Sequence, residues 1–133
     1  VEAFEEKWQE TDPFKFVNAL ALRKTEEAVL LLERIFREED YDWVSFIGLL
    51  HWQIRRLWQA RVLLEEGASE AVISKKCRLS FKQTAFFMRQ VRGLSLEALE
   101  QALEGLFQLD WRLKTGRGDE RAGIESWILQ TVS

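Results

Sequence analysis

One proline, one cysteine and one histidine in 133 residues exclude a good deal. Proline stands only at position 13, so no ring interrupts a helix downstream of it. Seven glycines leave few further breaks, which tilts the chain towards an all-α fold. The lone Cys77 cannot form an internal disulfide, which fits a reducing compartment. Cys77 and the lone His51 offer neither metal-ligand spacing nor a nucleophile–base pair, and they read as a small hydrophobe and a packed or solvated histidine. The G-x-x-x-x-G-K-[ST] phosphate loop is missing, so no ATP site is expected. No apolar run approaches the ~20 residues that cross a bilayer, and no basic-then-apolar leader opens the chain. The expectation is a cytoplasmic protein with no cofactor, no metal and no membrane partner. Because the chain opens on Val1 rather than methionine, it reads as a piece of a longer one.

What is present is globular: 47% hydrophobic and 31% charged residues, enough for one domain with its own core. The net charge of −3 is unevenly spread. Residues 1–40 carry 11 acids against 6 bases, and residues 93–133 carry 7 against 4. Between them, residues 68–92 hold Glu70 alone against Lys75, Lys76, Arg78, Lys82, Arg89 and Arg92. That basic island is the main reason to consider nucleic acid.

Helix punctuation is frequent. Asp12–Pro13 caps and opens one helix; Thr25 caps the next, with Glu26 and Glu27 in its first turn. Asp40 or Asp42 opens a long helix ending before Gly67. Ser69, Ser80 and Ser95 cap three more, the second stopped by Gly93 and the third by Gly116 and Gly118. Asp119 caps the last, whose inner face is Ile124, Trp127, Ile128 and Thr131. The pattern predicts helices over about 13–22, 26–38, 42–65, 70–77, 81–92, 96–115 and 120–131, a bundle of about seven. A short helix within residues 1–10 precedes them. Residues 1–11 read as an N-terminal extension or linker end, and 12–133 as the folded domain.

The long helix is apolar nearly all round from Trp43 to Ile54, as a central helix should be. Ser45, Gly48, His51, Arg55 and Gln59 share one narrow polar stripe, bordered by Trp52 and Arg56. Such a stripe must meet water, pair internally or face another chain. In the helix after Ser95, the 3-4 spacing of Leu96, Leu99, Leu103, Leu106 and Leu113 puts Asp110 on the apolar face. A buried carboxylate needs a cation, Arg55 first and Lys114 (or Arg112) second. An enzyme using Asp110 and His51 would need a pocket holding both.

The stretch "ASEAVISKKCRLSFKQTAFFMRQV" has the outline of a helix-turn-helix, with Lys82, Gln83 and Arg89 available to a DNA groove. Lys75, Lys76, Lys82 and Arg89 are the weak candidate nucleic-acid contacts. At least two residues of "AFFM" must be buried, which narrows the readable face.

In order and spacing, "DPFKFVNALALRKTEEAVLLLERIF", "LLHWQIRRLWQARVLLEEGAS", "FKQTAFFMRQVRGLSLEALEQAL" and "LDWRLKTGRGDERAGIESWILQ" resemble the C-terminal domain of bacterial DNA polymerase III delta subunits. The last stretch carries most of the resemblance, through Asp110, Leu113, Lys114, Gly116 and Glu125. It covers residues 12–133, nearly the whole chain. Two departures stand out: tryptophans at 52, 58, 111 and 127 where aliphatics are expected, and no AAA+-like N-terminal and middle domains.

The resemblance implies a clamp-loader collar domain that assembles with gamma/tau and delta-prime subunits. The sliding clamp would be reached only through the missing N-terminal part, and DNA indirectly or weakly. The full-length family belongs to the DNA polymerase III holoenzyme, a DNA-directed DNA polymerase and nucleotidyltransferase; no catalysis is expected in this stretch. Trp52, Arg56 and Gln59 are then the candidate subunit interface, because arginine and tryptophan are enriched in such contacts. The alternative is a basic helix-turn-helix-like nucleic-acid-binding module.

Overall fold

The computed structural model describes residues 12–37 and 42–132. The short helix expected within 1–10, the end of the second helix at 38 and the alternative cap Asp40 lie outside the described residues. Among the described residues the chain forms seven helices: α1 (Asp12–Ala21), α2 (Thr25–Phe36), α3 (Trp43–Glu65), α4 (Glu70–Lys76), α5 (Phe81–Gly93), α6 (Leu96–Lys114) and α7 (Glu120–Val132).

Caps account for most boundaries. Asp42 Oδ1 accepts from Ser45 N at 3.1 Å, Ser69 Oγ from Val72 N at 3.3 Å, and Ser95 Oγ from Ala98 N at 3.1 Å. Ser80 and Gln83 form a reciprocal capping box at the start of α5. Asp119 Oδ1 accepts from Ala122 N at 3.1 Å ahead of α7. Thr25 departs from expectation. Lys24, after the left-handed Arg23 (φ 59°), is the capping residue of α2, and its ammonium has no acceptor with which to bond a backbone N–H.

The long central helix expected from composition is α3, which packs on α1, α4, α5 and most extensively α6. Its buried residues Phe46, Ile47, Leu50, Ile54, Leu57 and Ala60 occupy one broad side. Helix α1 packs chiefly on α2, through Phe16, Val17 and Leu20 against Ala28, Leu32 and Ile35 within the common core. The ion pair Asp12–Arg34 (3.2 Å) ties the two ends together.

Helices α6 and α7 lie close because each carries a glycine on the facing side. A Cβ at Gly123 would stand 2.4 Å from Leu109 Cδ1, and one at Gly105 would stand 2.9 Å from Trp127 Cδ1. Trp127 fills the resulting groove, and its Nε1 donates to Ala102 O at 2.9 Å, satisfying the polar edge of a buried ring. Ile124, Trp127 and Ile128 are buried, as the sequence pattern predicts for the inner face.

Candidate subunit interface

The polar stripe of α3 does reach the surface: Ser45, Gly48, Arg55 and Gln59 are exposed, while His51 is half-buried. Its two borders turn inward. Arg56 lies over the Trp52 ring at 4.5 Å and over Phe87 of α5 at 5.3 Å, and its Nη2 donates to Cys77 O at 3.2 Å. A guanidinium in this nearly apolar helix therefore stitches α3 to the α4–α5 corner, with two aromatic rings against it. Trp52 and Arg56 are each half-buried, not the solvent-facing pair expected of interface anchors; of the three candidates only Gln59 is exposed.

Asp110 also departs from expectation. Its side chain keeps 28% of its exposure, and Oδ2 pairs with Lys114 Nζ at 2.9 Å, one turn along the same helix. The second-choice partner is the one that binds it. Arg55 is exposed and forms no ion pair with it among the described residues. The reason is a one-residue rotation of the α6 stripe. Leu99, Ala102, Leu106 and Leu109 are buried, so Leu109 takes the core position and Asp110 falls at the border.

Arg55 and Asp110 nonetheless share a neighbourhood around His51. Burial holds the His51 pKa below its ordinary value of 6.5; Arg55 adds to the depression, Asp110 opposes it, and Lys114 lowers it further. His51 Nδ1 has no hydrogen-bond partner among the described residues. Asp110 thus acts on His51 through its charge, at the border of the packed helices. None of the cavities with described linings holds both residues.

The large apolar side chains in solvent lie elsewhere. Phe107 (63% exposed) and Trp111 (62%) stand one turn apart on the outer side of α6. Leu30 and Val44 add apolar surface, and Leu129 lines a cavity with Val29, Leu32 and Ile128. Sequence reasoning missed the Phe107–Trp111 pair, although the signal existed. Both residues lie off the buried stripe of α6, where an amphipathic helix carries polar side chains.

At the α4–α5 corner, Lys75, Lys76, Lys82 and Arg89 are all exposed, with Phe81 97% exposed beside them. Phe87 and Met88 are buried and Phe86 half-buried, which meets the expectation for "AFFM". Gln83, expected in the readable face, is buried with its Oε1 accepting from Ser80 N at 3.2 Å. Capping α5 removes it from the surface a DNA groove would touch. Burial raises the Cys77 thiol pKa above its ordinary value, against a smaller lowering by Arg56, so the thiol is a weak nucleophile.

Among the described residues no group of three or more His, Cys, Asp or Glu is placed to hold a metal, and no helix is long and apolar enough to cross a membrane.

Comparison with known proteins agrees with this architecture. A DNA polymerase III subunit delta of Bacillus subtilis is 24% identical over 123 residues, 92% of this chain and 35% of the relative. The solved structure of the Bacillus subtilis DNA clamp loader delta protein matches with a TM-score of 0.76 and 23% identity, over 91% of this chain and 35% of that one. The chain thus spans about a third of the length of these relatives. The family described as "DNA polymerase III delta subunit, C-terminal domain" matches residues 10–131. With the match running through all seven described helices, this chain belongs to the family formed by the C-terminal domains of DNA polymerase III delta subunits.

Proposed function

We propose that residues 12–133 form a collar segment of a bacterial clamp loader, with 1–11 as the end of a linker. Its partners are gamma/tau and delta-prime subunits, and the sliding clamp is reached only through a different part of the delta chain. The observation that carries this reading is the pair Phe107 and Trp111, large apolar side chains held in solvent by a well-packed helix. Arg55 and Gln59 are exposed on the helix that packs against α6, and in this reading they contribute polar contacts to the same partner. Gln59 and the outer edges of Trp52 and Arg56 make a second, lesser contact, whose loss would cost stability as well as assembly.

Contact with duplex DNA through Lys75, Lys76, Lys82 and Arg89 is weak and not sequence-selective in this reading. With Gln83, Phe87 and Met88 turned inward, α5 offers a groove two cations and little that reads base edges.

The test is reconstitution with purified gamma/tau and delta-prime, followed by size-exclusion chromatography. Each of Phe107→Ala and Trp111→Ala should weaken assembly by about 2 kcal/mol while leaving helicity unchanged. Unaltered ring assembly in the double variant would remove this face of α6 from the interface and defeat the proposal.

A further inference from the structure

Helices α4 and α5 enclose an open groove of about 760 Å³. Ala71 and Ala85 face it, Phe81 stands at its edge, and Lys75 and Lys82 line it from opposite helices. The corner is braced from beneath. Ser74 Oγ and Thr84 Oγ1 meet at 2.9 Å across the two helices, and Thr84 Oγ1 also donates to Ser80 O at 2.9 Å. Such bracing keeps the two walls at a fixed spacing before anything binds.

The charge balance of this corner is one-sided. Glu70, its single acid, is already paired with Arg92 at 2.5 Å. Among the described residues, Lys75, Lys76, Arg78, Lys82 and Arg89 take part in no ion pair. The corner thus keeps a patch of cations, without ion pairs among the described residues, around an apolar groove and a solvent-exposed phenyl ring.

We propose that the α4–α5 groove binds a short acidic, amphipathic peptide segment of a partner protein. An apolar side chain of that segment lies between Ala71 and Ala85 against Phe81, and flanking carboxylates meet Lys75 and Lys82. Carboxylate–ammonium contacts set orientation and speed of encounter, and the apolar side chain supplies the buried area. A nucleic-acid strand fits less well. The groove offers a base one ring, Phe81, to stack on, whereas Ala71 and Ala85 present methyl groups suited to an aliphatic side chain.

The test is fluorescence anisotropy of a labelled peptide in which aspartate and glutamate alternate with leucine and phenylalanine, titrated with the 133-residue chain. Saturable binding that weakens with salt is expected. The double variant Lys75→Glu/Lys82→Glu and, separately, Phe81→Ala should each weaken it by at least about tenfold. All three side chains are exposed, so circular dichroism should not change. A peptide with serine in place of leucine and phenylalanine should bind more weakly than the parent peptide. Absence of saturable binding, or equal affinity in the variants, would overturn the proposal. Tighter binding of oligothymidylate, lost on the same substitutions, would overturn it in favour of a nucleic-acid strand.

Discussion

Along the α3–α6 seam, Asp110 meets Lys114, and the charges of Asp110, Arg55 and Lys114 all act on His51, while at the α4–α5 corner five cations face solvent with no acid left to pair. Both regions gather charge at the edge of the same core, and they dispose of it in opposite ways. In the seam, opposite charges are mixed at the border of packed helices, and the acid Asp110 is answered by Lys114 on its own helix. At the corner, one sign dominates and even the adjoining phenylalanine is left outside, features that stability alone does not require. The difference separates charge that completes a domain from charge that is available to something else.

Breaking the packing behind the seam should have the largest effect. Trp127 is buried between α6 and α7 in a groove that Gly105 and Gly123 keep open. Trp127→Ala should therefore lose about 3–5 kcal/mol of unfolding free energy, read by urea denaturation. A loss below half of that would mean that α7 is held mainly by other contacts.

The inward side of α5 offers a second break, closer to the corner itself. Gln90 accepts from Gln53 Nε2 at 3.4 Å and donates to Asn18 Oδ1 at 3.1 Å, joining α1, α3 and α5 through two buried amides and a half-buried one. Gln90→Ala should cost about 1–3 kcal/mol by stranding these partners. The outward side of the same helix should show nothing comparable, which is what makes the contrast testable on one element.

Helix boundaries were legible because caps are local: Asp42, Ser69, Ser80, Ser95 and Asp119 each act on a backbone N–H within three residues. The inner face of α7 was legible too, since one apolar stripe determines it. The face of α6, read from its leucines, falls one residue out of register. Asp110 continues the leucine spacing as well as Leu109 does, and the packing of α6 on α3 and α7, with Leu109 against Gly123, decides between them. Arg56 was harder still. Its partners Phe87 and Cys77 lie 31 and 21 residues away, and nothing in the local pattern announces a guanidinium enclosed by its own bundle. Phe107 and Trp111 were visible as letters, but their exposure is a property of where α3 and α7 stop covering α6.

Smaller effects sharpen the seam. Because burial and then Arg55 depress the His51 pKa, the unfolded chain takes up that proton first as pH falls. The contribution of neutral His51 is fully present above pH 6.5 and is lost as pH falls below it, through the folded pKa. Thermal unfolding across pH 5–7.5 should show this decline, and His51→Gln should flatten it. An unchanged profile in the variant would assign the decline to other groups. Asp110→Ala should cost less than about 1 kcal/mol, because a half-exposed i,i+4 pair is screened by water. A loss several times larger would restore Asp110 to the core role that its leucine spacing suggested.

The smallest effect is expected at the corner, and its smallness is the point. Lys75 lies in the last turn of α4 and Lys82 in the first turn of α5. Changing Lys75 to Glu places an anion at a helix C-terminus, which is unfavourable, and changing Lys82 to Glu places one at an N-terminus, which is favourable. The two contributions oppose each other, and neither lysine has an ion pair to lose among the described residues. Lys75→Glu/Lys82→Glu should therefore change stability by no more than about 0.5 kcal/mol, measured by thermal denaturation at low and at moderate salt. Neutral stability together with weakened peptide binding would mean that these cations are kept for a partner. A drop of more than twice that size would mean that the corner's charge supports the fold, and the contrast between the two regions would disappear.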